Sequence, residues 1–555
     1  MKPTLCLVAG TTAHAVTMFG VGGILARADA APSSFVGILY WLAVLSLLIL
    51  LRARVFSQLP GLVRHGGWML MRPLILWEVV GWASLIAGAG STLSMGWAVS
   101  LALLGGLGSL GWAYRLVPSE AMPFPVIDRG FFLWARGHFD DWSARRHVLA
   151  HVIFAGLTAA GLLTMLRTSP VEYPGSVPQR VSLFLTAAAV AMLVPLLQVN
   201  PQRGICFIHF GTLGLLIATT AHAIDPSADW PAAVLGAAFA LPFPGLSTAL
   251  LMHVAPRQRF VAIAVAEGLA LVAATAALAI RWLPGEAARW LLVTGAVSAL
   301  GGLLRLYFRE CVEIVMEILF WPMYRFRVVG PGLIDVPWRG PVLVIANHAA
   351  YFDPLFLGKY LPLRLRALMI STMFDKPFLK WLAGDVYGAI RVPDRPGFRR
   401  TMPELDEAVA VLKNGENLII FPEGWLRRRE DTPLHRFAQG IYRILLQLPN
   451  TPVLPCWIET SWGSYLSYKN GPPAKNKPFD WFYKIVIAYG PPEIVPPEML
   501  IDHKTARRYL MERVLQARTY LGLPAYPVPG LTSVEPEPTE TTADAKGVVG
   551  APPEN

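Results

Sequence analysis

The segment VIANHAAYFDPLFLG, residues 344–358, closes an apolar run on Asn347-His348 and places an acid five residues later, at Asp353. Histidine is the side chain that titrates nearest neutrality. A carboxylate that accepts one ring N–H leaves the other nitrogen available as a base. The segment has no serine or cysteine beside the pair, so the chemistry on offer is direct general-base activation of an incoming hydroxyl, without a covalent acyl-enzyme. Two plainer readings stand beside it: an Asp353 that caps a helix opening at Pro354, or half of a metal site. No further ligands lie at useful spacing, so no metal is expected.

Two basic segments follow. FPEGWLRRR, residues 421–429, puts a Pro-Glu-Gly turn and three arginines after an apolar run. Glu423 and Gly424 would bring a carboxylate and backbone N–H groups to one rim, and arginines such as Arg427 suit bidentate phosphate binding. The plainer alternative is a solvated basic loop or a membrane-surface contact. YGAIRVPDRPGFRR, residues 387–400, carries Gly388 with Arg391, Arg395, Arg399 and Arg400, again a pattern that suits phosphate.

The elements that would hold these residues alternate. Short β-rich runs fall at 341–346, 418–422, 452–459 and 484–489, with helical patterns at about 353–361, 374–383, 401–413, 434–447 and 498–521. Such alternation predicts an α/β domain with a central, largely parallel sheet, whose ligand site lies beyond the strand carboxyl ends. The conspicuous residues fall there.

The first 308 residues are of another kind. The chain of 555 residues is 54% hydrophobic and 15% charged, and the apolar residues concentrate in blocks of about 20. Ten spans are expected, at about 4–26, 35–51, 74–91, 93–114, 148–166, 181–199, 204–223, 231–252, 260–280 and 287–307, the first retained rather than cleaved as a signal peptide. With the N-terminus inside, fifteen loop lysines and arginines fall on one side and five on the other, which leaves the C-terminal domain in the cytoplasm. A net charge of +11 would favour nucleic acid in a soluble protein, but here the arginines between apolar blocks point to anionic lipid and topology, and no nucleic acid partner is expected. The four cysteines are scattered without a disulfide or metal spacing.

Within the spans, Glu78 and Glu267 are costly unless protonated, bonded or functional. His147 and His151, at i, i+4, lack a second pair and read as interfacial histidines. The loop after the second span lacks the Gly…Asp-Arg…Gly-Arg pattern of major-facilitator transporters. Residues 309–330 read as an amphipathic interfacial or linker helix, and 526–555, rich in proline, threonine and acids, as a disordered tail.

Asn-His-x4-Asp, Gly388-x-Ile390 with downstream arginine, Phe-Pro-Glu-Gly and Val453-x-Pro455, in this order, resemble the glycerolipid acyltransferase superfamily of lysophosphatidate and lysophospholipid acyltransferases. The resemblance covers about 315–495 and makes 331–525 an acyltransferase-like domain. It implies that His348 deprotonates a glycerol hydroxyl, that Asp353 orients it, and that Glu423, Gly424 and an arginine (Arg391, Arg395 or Arg427) hold the acceptor headgroup and phosphate. The donor would be acyl-CoA or acyl-carrier protein, a co-substrate rather than a cofactor. The sequence departs from the family at Trp425-Leu426-Arg427, where Thr-Arg-Ser is common, and at Phe437-Ala438-Gln439-Gly440, where lysine often follows the phenylalanine. Trp462-Gly463-Ser464 with Ser467 is similar to the acyltransferase domain of multidomain 2-acylglycerophosphoethanolamine acyltransferases, so a lysophospholipid acceptor fits as well as lysophosphatidate.

The expected protein is therefore an O-acyltransferase integral to a bacterial-type cytoplasmic membrane, acting on membrane lipids. The competing expectations are a lysolipid transporter or flippase coupled to the attached enzyme, and a degenerate acyltransferase domain that only binds lipid.

Overall fold

The computed structural model describes residues 142–167, 176–194, 205–253, 259–320, 322–337, 340–361, 363–393, 402–475 and 477–528, with isolated positions before residue 88. The N-terminal half is helical: α1 (Trp142–Arg167), α2 (Ser176–Ala191), α3 (Phe207–Ile224), α4 (Trp230–Ala240), α5 (Phe243–His253), α6 (Arg259–Ala276) and α7 (Gly285–Leu306). Among the described residues, four apolar helices are long enough to cross a membrane: Arg145–Arg167, Phe207–Ile224, Trp230–Leu251 and Gly285–Leu306. At about 1.5 Å per residue, a 22-residue helix matches a hydrocarbon core roughly 30 Å thick. The expected spans 181–199 and 260–280 fall on shorter apolar helices, Gln179–Ala191 and Ala262–Ala276. Apart from those isolated positions, the four spans expected before residue 115 lie outside the described residues, as does Glu78.

Small residues let these helices approach closely. A Cβ added at Gly236 would come within 2.1 Å of the Phe184 carbonyl oxygen, so α4 and α2 touch backbone to backbone there. His147 and His151 are buried rather than interfacial: His147 Nδ1 lies 3.0 Å from the Tyr307 hydroxyl, and His151 Nε2 3.4 Å from Ser247 Oγ. Glu267 is half-buried on α6.

α7 runs almost directly into α8 (Phe308–Phe320). Its Glu310, buried, accepts from Arg146 of α1 at 3.1 Å and from Arg364, which precedes the third strand. The Arg146 guanidinium also lies over the Tyr307 ring, 4.8 Å from its centroid. One carboxylate thus ties a helix of the N-terminal half to the α/β half. α8 ends at Phe320, and the remainder of the expected helix 309–330 becomes a strand, β1 (Tyr324–Val329). The reason is its period of two: Tyr324, Phe326 and Val328 face the core while Arg325 and Arg327 alternate outward.

The α/β half is built on seven strands in the order β1-β7-β6-β2-β5-β3-β4. The others are β2 (Leu343–Ala346), β3 (Leu365–Ile370), β4 (Ile390–Val392), β5 (Asn417–Ile420), β6 (Val453–Ile458) and β7 (Tyr483–Tyr489). β6, β2, β5, β3 and β4 are mutually parallel, and β7 runs antiparallel to β6 with β1 parallel beside it. The expected largely parallel sheet is present. β2 and β6 are buried along their whole length, as strands covered on both faces must be. β3 and β4 were not expected, because Arg364, Arg366 and Arg391 interrupt their apolar runs; Arg366 Nε instead donates to the Gly388 carbonyl at 2.6 Å, bracing β3 against the turn into β4.

Helices differ at their edges. The pattern at 374–383 forms short 3-10 and π turns rather than one α-helix. The pattern at 434–447 is helical only from Gly440 (Gly440–Gln447), because the preceding backbone is tied elsewhere: Ala438 N donates to the Pro422 carbonyl and His435 N to Glu423. The closing helix is His503–Ala517, started by Asp502, whose Oδ1 accepts from the amides of Lys504 and Thr505. Order extends past the expected tail boundary: Tyr526 packs on Trp457 at 5.8 Å between ring centroids and under Arg518 at 4.1 Å, while residues beyond Val528 lie outside the described set.

Glu310→Gln removes the anion shared by two guanidiniums, one of them buried, and should destabilise the protein by about 3 kcal/mol. The check is the midpoint of thermal unfolding in detergent, and an unchanged midpoint would show that the cluster contributes nothing to stability.

Candidate active site

β2 delivers the site. Its last residue, Ala346, sits opposite Cys456 of β6, and Asn347 then extends the pairing with its side chain. Asn347 Nδ2 donates to the Ile458 carbonyl at 2.9 Å, and Ile458 N donates to Asn347 Oδ1 at 2.8 Å. The amide thus continues the ladder where the main chain turns away, and holds the next residue, His348, at the strand end.

His348 Nδ1 lies 3.0 Å from Asp353 Oδ2. The same oxygen accepts the backbone amides of Ala349 at 2.7 Å and Ala350 at 2.8 Å. Three N–H donors on one oxygen fix the buried Asp353 side chain in place. It holds the imidazole as the tautomer protonated on Nδ1, leaving Nε2 as the basic nitrogen. The helix-cap reading of Asp353 fails on this geometry. The carboxylate points back to residues 349 and 350, while Phe352 stands at the N-cap position of the Asp353–Gly358 helix and makes no side-chain cap. The imidazole is also stacked on Phe421, with centroids 4.0 Å apart and planes at 19°, so two of its degrees of freedom are set by packing.

Glu423 follows β5, the strand next to β2. It is buried, and its two oxygens accept from different loops: Oε1 from His348 N and Oε2 from His435 N, each at 2.7 Å. Burial pushes its carboxyl up to about 8, with the two N–H bonds acting against that rise. Glu423 is thus a brace under the histidine rather than an exposed ligand group. Gly424 completes the turn in the left-handed region, φ 74°, with its amide donating to the Phe421 carbonyl at 3.1 Å. A Cβ there would meet nothing within 4 Å, so the backbone conformation alone calls for glycine.

The remaining expected residues divide. Arg427 is brought to the site through its backbone, whose N–H donates to the His348 carbonyl at 2.8 Å. Its guanidinium, however, folds onto its own loop, donating to the Arg429 and Glu430 carbonyls and lying 4.7 Å from the Trp462 ring centroid. Arg391 is exposed at the sheet edge, 3.6 Å from Asp375 and three strand spacings from β2, roughly 14 Å away. Arg395 lies outside the described residues.

Three groups are not among the site residues named from the sequence. Asn347 is one; its place directly before the histidine at a strand end was the available signal. The second is Arg428, exposed over the Tyr468 ring at 4.5 Å, with no hydrogen bond or ion pair among the described residues. The third is the segment 461–468, which closes over the 349–351 loop. Ala350 bridges Ser467, the Tyr351 and Tyr468 hydroxyls are 3.2 Å apart, and Lys477 Nζ holds the segment through the Ser464 and Ser467 carbonyls at 3.0 and 2.6 Å. No group of metal-ligating side chains occurs among the described residues. The arrangement is a fixed base on a basic, partly aromatic rim, able to take a proton from a hydroxyl presented there.

Residues 326–459 match the family model described as Acyltransferase. A 1-acyl-sn-glycerol-3-phosphate acyltransferase of Borreliella burgdorferi is 26% identical over 147 residues, covering 26% of this chain and 55% of the relative. An uncharacterized protein of Mycobacterium tuberculosis is 31% identical over 145 residues, covering 24% of this chain and 37% of the relative. The chain thus spans about half, or less, of the length of these curated relatives. A crystal structure of the 1-acyl-sn-glycerophosphate acyltransferase PlsC of Thermotoga maritima aligns over 39% of this chain and 83% of that one, with 21% identity and a TM-score of 0.30. The resemblance carried by the motifs is borne out, and the C-terminal region contains an acyltransferase-family domain.

Asn347→Ala keeps both His348 and Asp353 but removes the two bonds that hold the strand end, and should lower any acyl-transfer turnover by about tenfold or more. Wild-type turnover in that variant would remove Asn347 from the positioning set. A carboxyl raised in the folded state, as Glu423 is, adds stability at low pH that is lost as pH climbs from its unfolded value through about 8. The gap in unfolding midpoint between wild type and Glu423→Gln should therefore narrow steadily over that range; a gap that widens with pH would contradict the raised value.

Proposed function

We propose that this chain, whose C-terminal region is an acyltransferase-family domain, is a membrane-embedded O-acyltransferase that esterifies a lysophospholipid or 1-acylglycerol 3-phosphate. The observation that carries the proposal is the 3.0 Å contact between His348 Nδ1 and a buried Asp353 whose oxygen is already held by two backbone amides. His348 Nε2 takes the proton of the acceptor hydroxyl as its oxygen attacks the thioester carbonyl of acyl-CoA or acyl-carrier protein. Asp353 offsets the charge of the imidazolium that forms. As the tetrahedral adduct collapses, the C–S bond breaks and the imidazolium returns the proton to the departing thiolate. The products are the diacyl lipid and a free thiol.

The acceptor phosphate would meet Arg428 and the exposed amide turn at Gly424, with Arg391 and Arg395 serving an extended headgroup or donor. Arg427 supports the loop that carries them. Four apolar helices of spanning length support a membrane location for an enzyme whose acceptor and product are both bilayer lipids. In this reading the α/β half lies on the cytoplasmic side, where the acyl donors are. The ion pairs from Arg146 through Glu310 to Arg364 join the two halves, and the alternative reading gives the helical half a second role, delivery of lysolipid to the attached enzyme. Loss of lysolipid flipping in vesicles on Glu267→Gln would support it, and no flipping by the parent protein would remove it.

His348→Ala should lower acyl transfer by at least about 100-fold and Asp353→Asn by a similar factor, with insertion into membranes unchanged. The measurement is transfer of a labelled acyl group from each donor to a panel of lysolipids by purified protein. Near-wild-type transfer by His348→Ala would sink the catalytic assignment.

A further inference from the structure

β1 and β7 run antiparallel to β2, so they begin at the sheet edge where β2 delivers His348. Their side chains divide by face. Tyr324, Phe326 and Val328 of β1 enter the core on the α8 side, together with Ile485 and Ile487 of β7. The alternate residues Arg325, Arg327 and Lys484 stand on the opposite face, and all three are exposed. Arg325 and Lys484 are register partners on neighbouring strands, and Arg327 lies two residues on. Like charges set side by side across a strand pair repel. None of the three forms an ion pair among the described residues. Glu459, which follows the adjoining end of β6, gives its two oxygens to Arg518, each at 2.8 Å.

Two exposed rings border these cations. The Arg325 guanidinium lies over the Phe482 ring, 4.7 Å from its centroid, and Phe482 holds a left-handed backbone, φ 60°, uncommon for an aromatic residue. Trp481 beside it is 62% exposed. Trp481 packs edge-on against Phe479 at 4.8 Å, and Phe479 against Tyr465 at 5.3 Å. Tyr465 belongs to the 461–468 segment, whose Ser467 bridges Ala350 next to the histidine loop. A run of packed rings thus joins the patch to the wall of the candidate active site. β1 itself is three strand spacings from β2, roughly 14 Å.

We propose that this corner of the sheet, Arg325, Arg327 and Lys484 flanked by Trp481 and Phe482, docks an acidic acyl-carrier protein, which presents its thioester to His348 on a flexible arm. Exposed arginine beside exposed aromatic rings is the composition of a protein interface, and the sign of the patch calls for an acidic partner. The patch lies on the sheet face away from α8, the helix that continues from the spanning-length α7, which favours a protein over a bilayer. Its cations stand on an open strand face several strands from the base. That placement favours a carrier with an arm over a small nucleotide thioester. The inference rests on the acyltransferase function proposed above and deepens it by selecting the donor.

The test uses the full chain in nanodiscs of phosphatidylcholine, with and without phosphatidylglycerol, and varies acyl-carrier protein and acyl-CoA donors in turn. In Arg325→Glu/Arg327→Glu/Lys484→Glu the KM for acyl-carrier protein should rise by about tenfold or more, with kcat and the KM for acyl-CoA within about twofold of wild type. Arg325→Gln/Arg327→Gln/Lys484→Gln should give a smaller rise, and it serves if the reversed charges unfold the strand edge. Fluorescence anisotropy of labelled acyl-carrier protein, without acceptor, should show the same loss of affinity. Unchanged KM and affinity for the carrier protein would overturn the docking surface. An equal rise for acyl-CoA would overturn it in favour of a nucleotide phosphate. A rise for both donors confined to nanodiscs with phosphatidylglycerol would overturn it in favour of the bilayer. Transfer from acyl-CoA alone, with no binding of the carrier protein, removes the docking surface and leaves the acyltransferase function standing. Absence of transfer from both donors removes that function, and the anisotropy alone then decides whether this face binds the carrier.

Discussion

A single oxygen atom organises the reactive end of this protein. Asp353 Oδ2 receives the imidazole Nδ1 and the amides of residues 349 and 350, all within a turn of seven residues that starts at Asn347. The three bonds all fall on this one oxygen of a fully buried carboxyl, and they fix the loop as much as the histidine. The neighbouring carboxylate, Glu423, repeats the device between loops by taking His348 N on one oxygen and His435 N on the other. Two acids and no metal ligand set among the described residues thus hold the base from its side chain and from its backbone.

That pair of braces explains features that looked unrelated. The stretch before Gly440 stays irregular because its amides are spent on Glu423 and on the Pro422 carbonyl. The Arg427 backbone closes on the His348 carbonyl, so the guanidinium is left to support the loop and the exposed cation on the rim is Arg428. The 461–468 segment, held by Lys477, lies against the residue pair Ala350 and Tyr351 and finishes the wall.

The helical half and the α/β half meet through charge on one side of α8, whose other side presents apolar surface. Glu310 sits between guanidiniums from both halves. The energy of such a cluster is lost if one partner goes, which makes the relative placement of the halves specific rather than merely sticky.

Much was legible from residue order alone. Apolar blocks of spanning length, alternating strand and helix patterns, and the spacing Asn-His-x4-Asp followed by Phe-Pro-Glu-Gly are local properties, set by periodicity and by side-chain chemistry. They were enough to pair His348 with Asp353 and to predict a largely parallel sheet. What needed the tertiary structure were the partners across the chain. Arginines sharing a loop are alike in sequence, and only the closed loop turns Arg427 inward and Arg428 outward. β1, β3 and β4 carry arginines that disguise a period of two, resolved only by the strands beside them. Asn347 and Glu423 acquire their roles from bonds to residues 111 and 12 or 75 positions away, and a hydrogen bond's geometry has no trace in local composition.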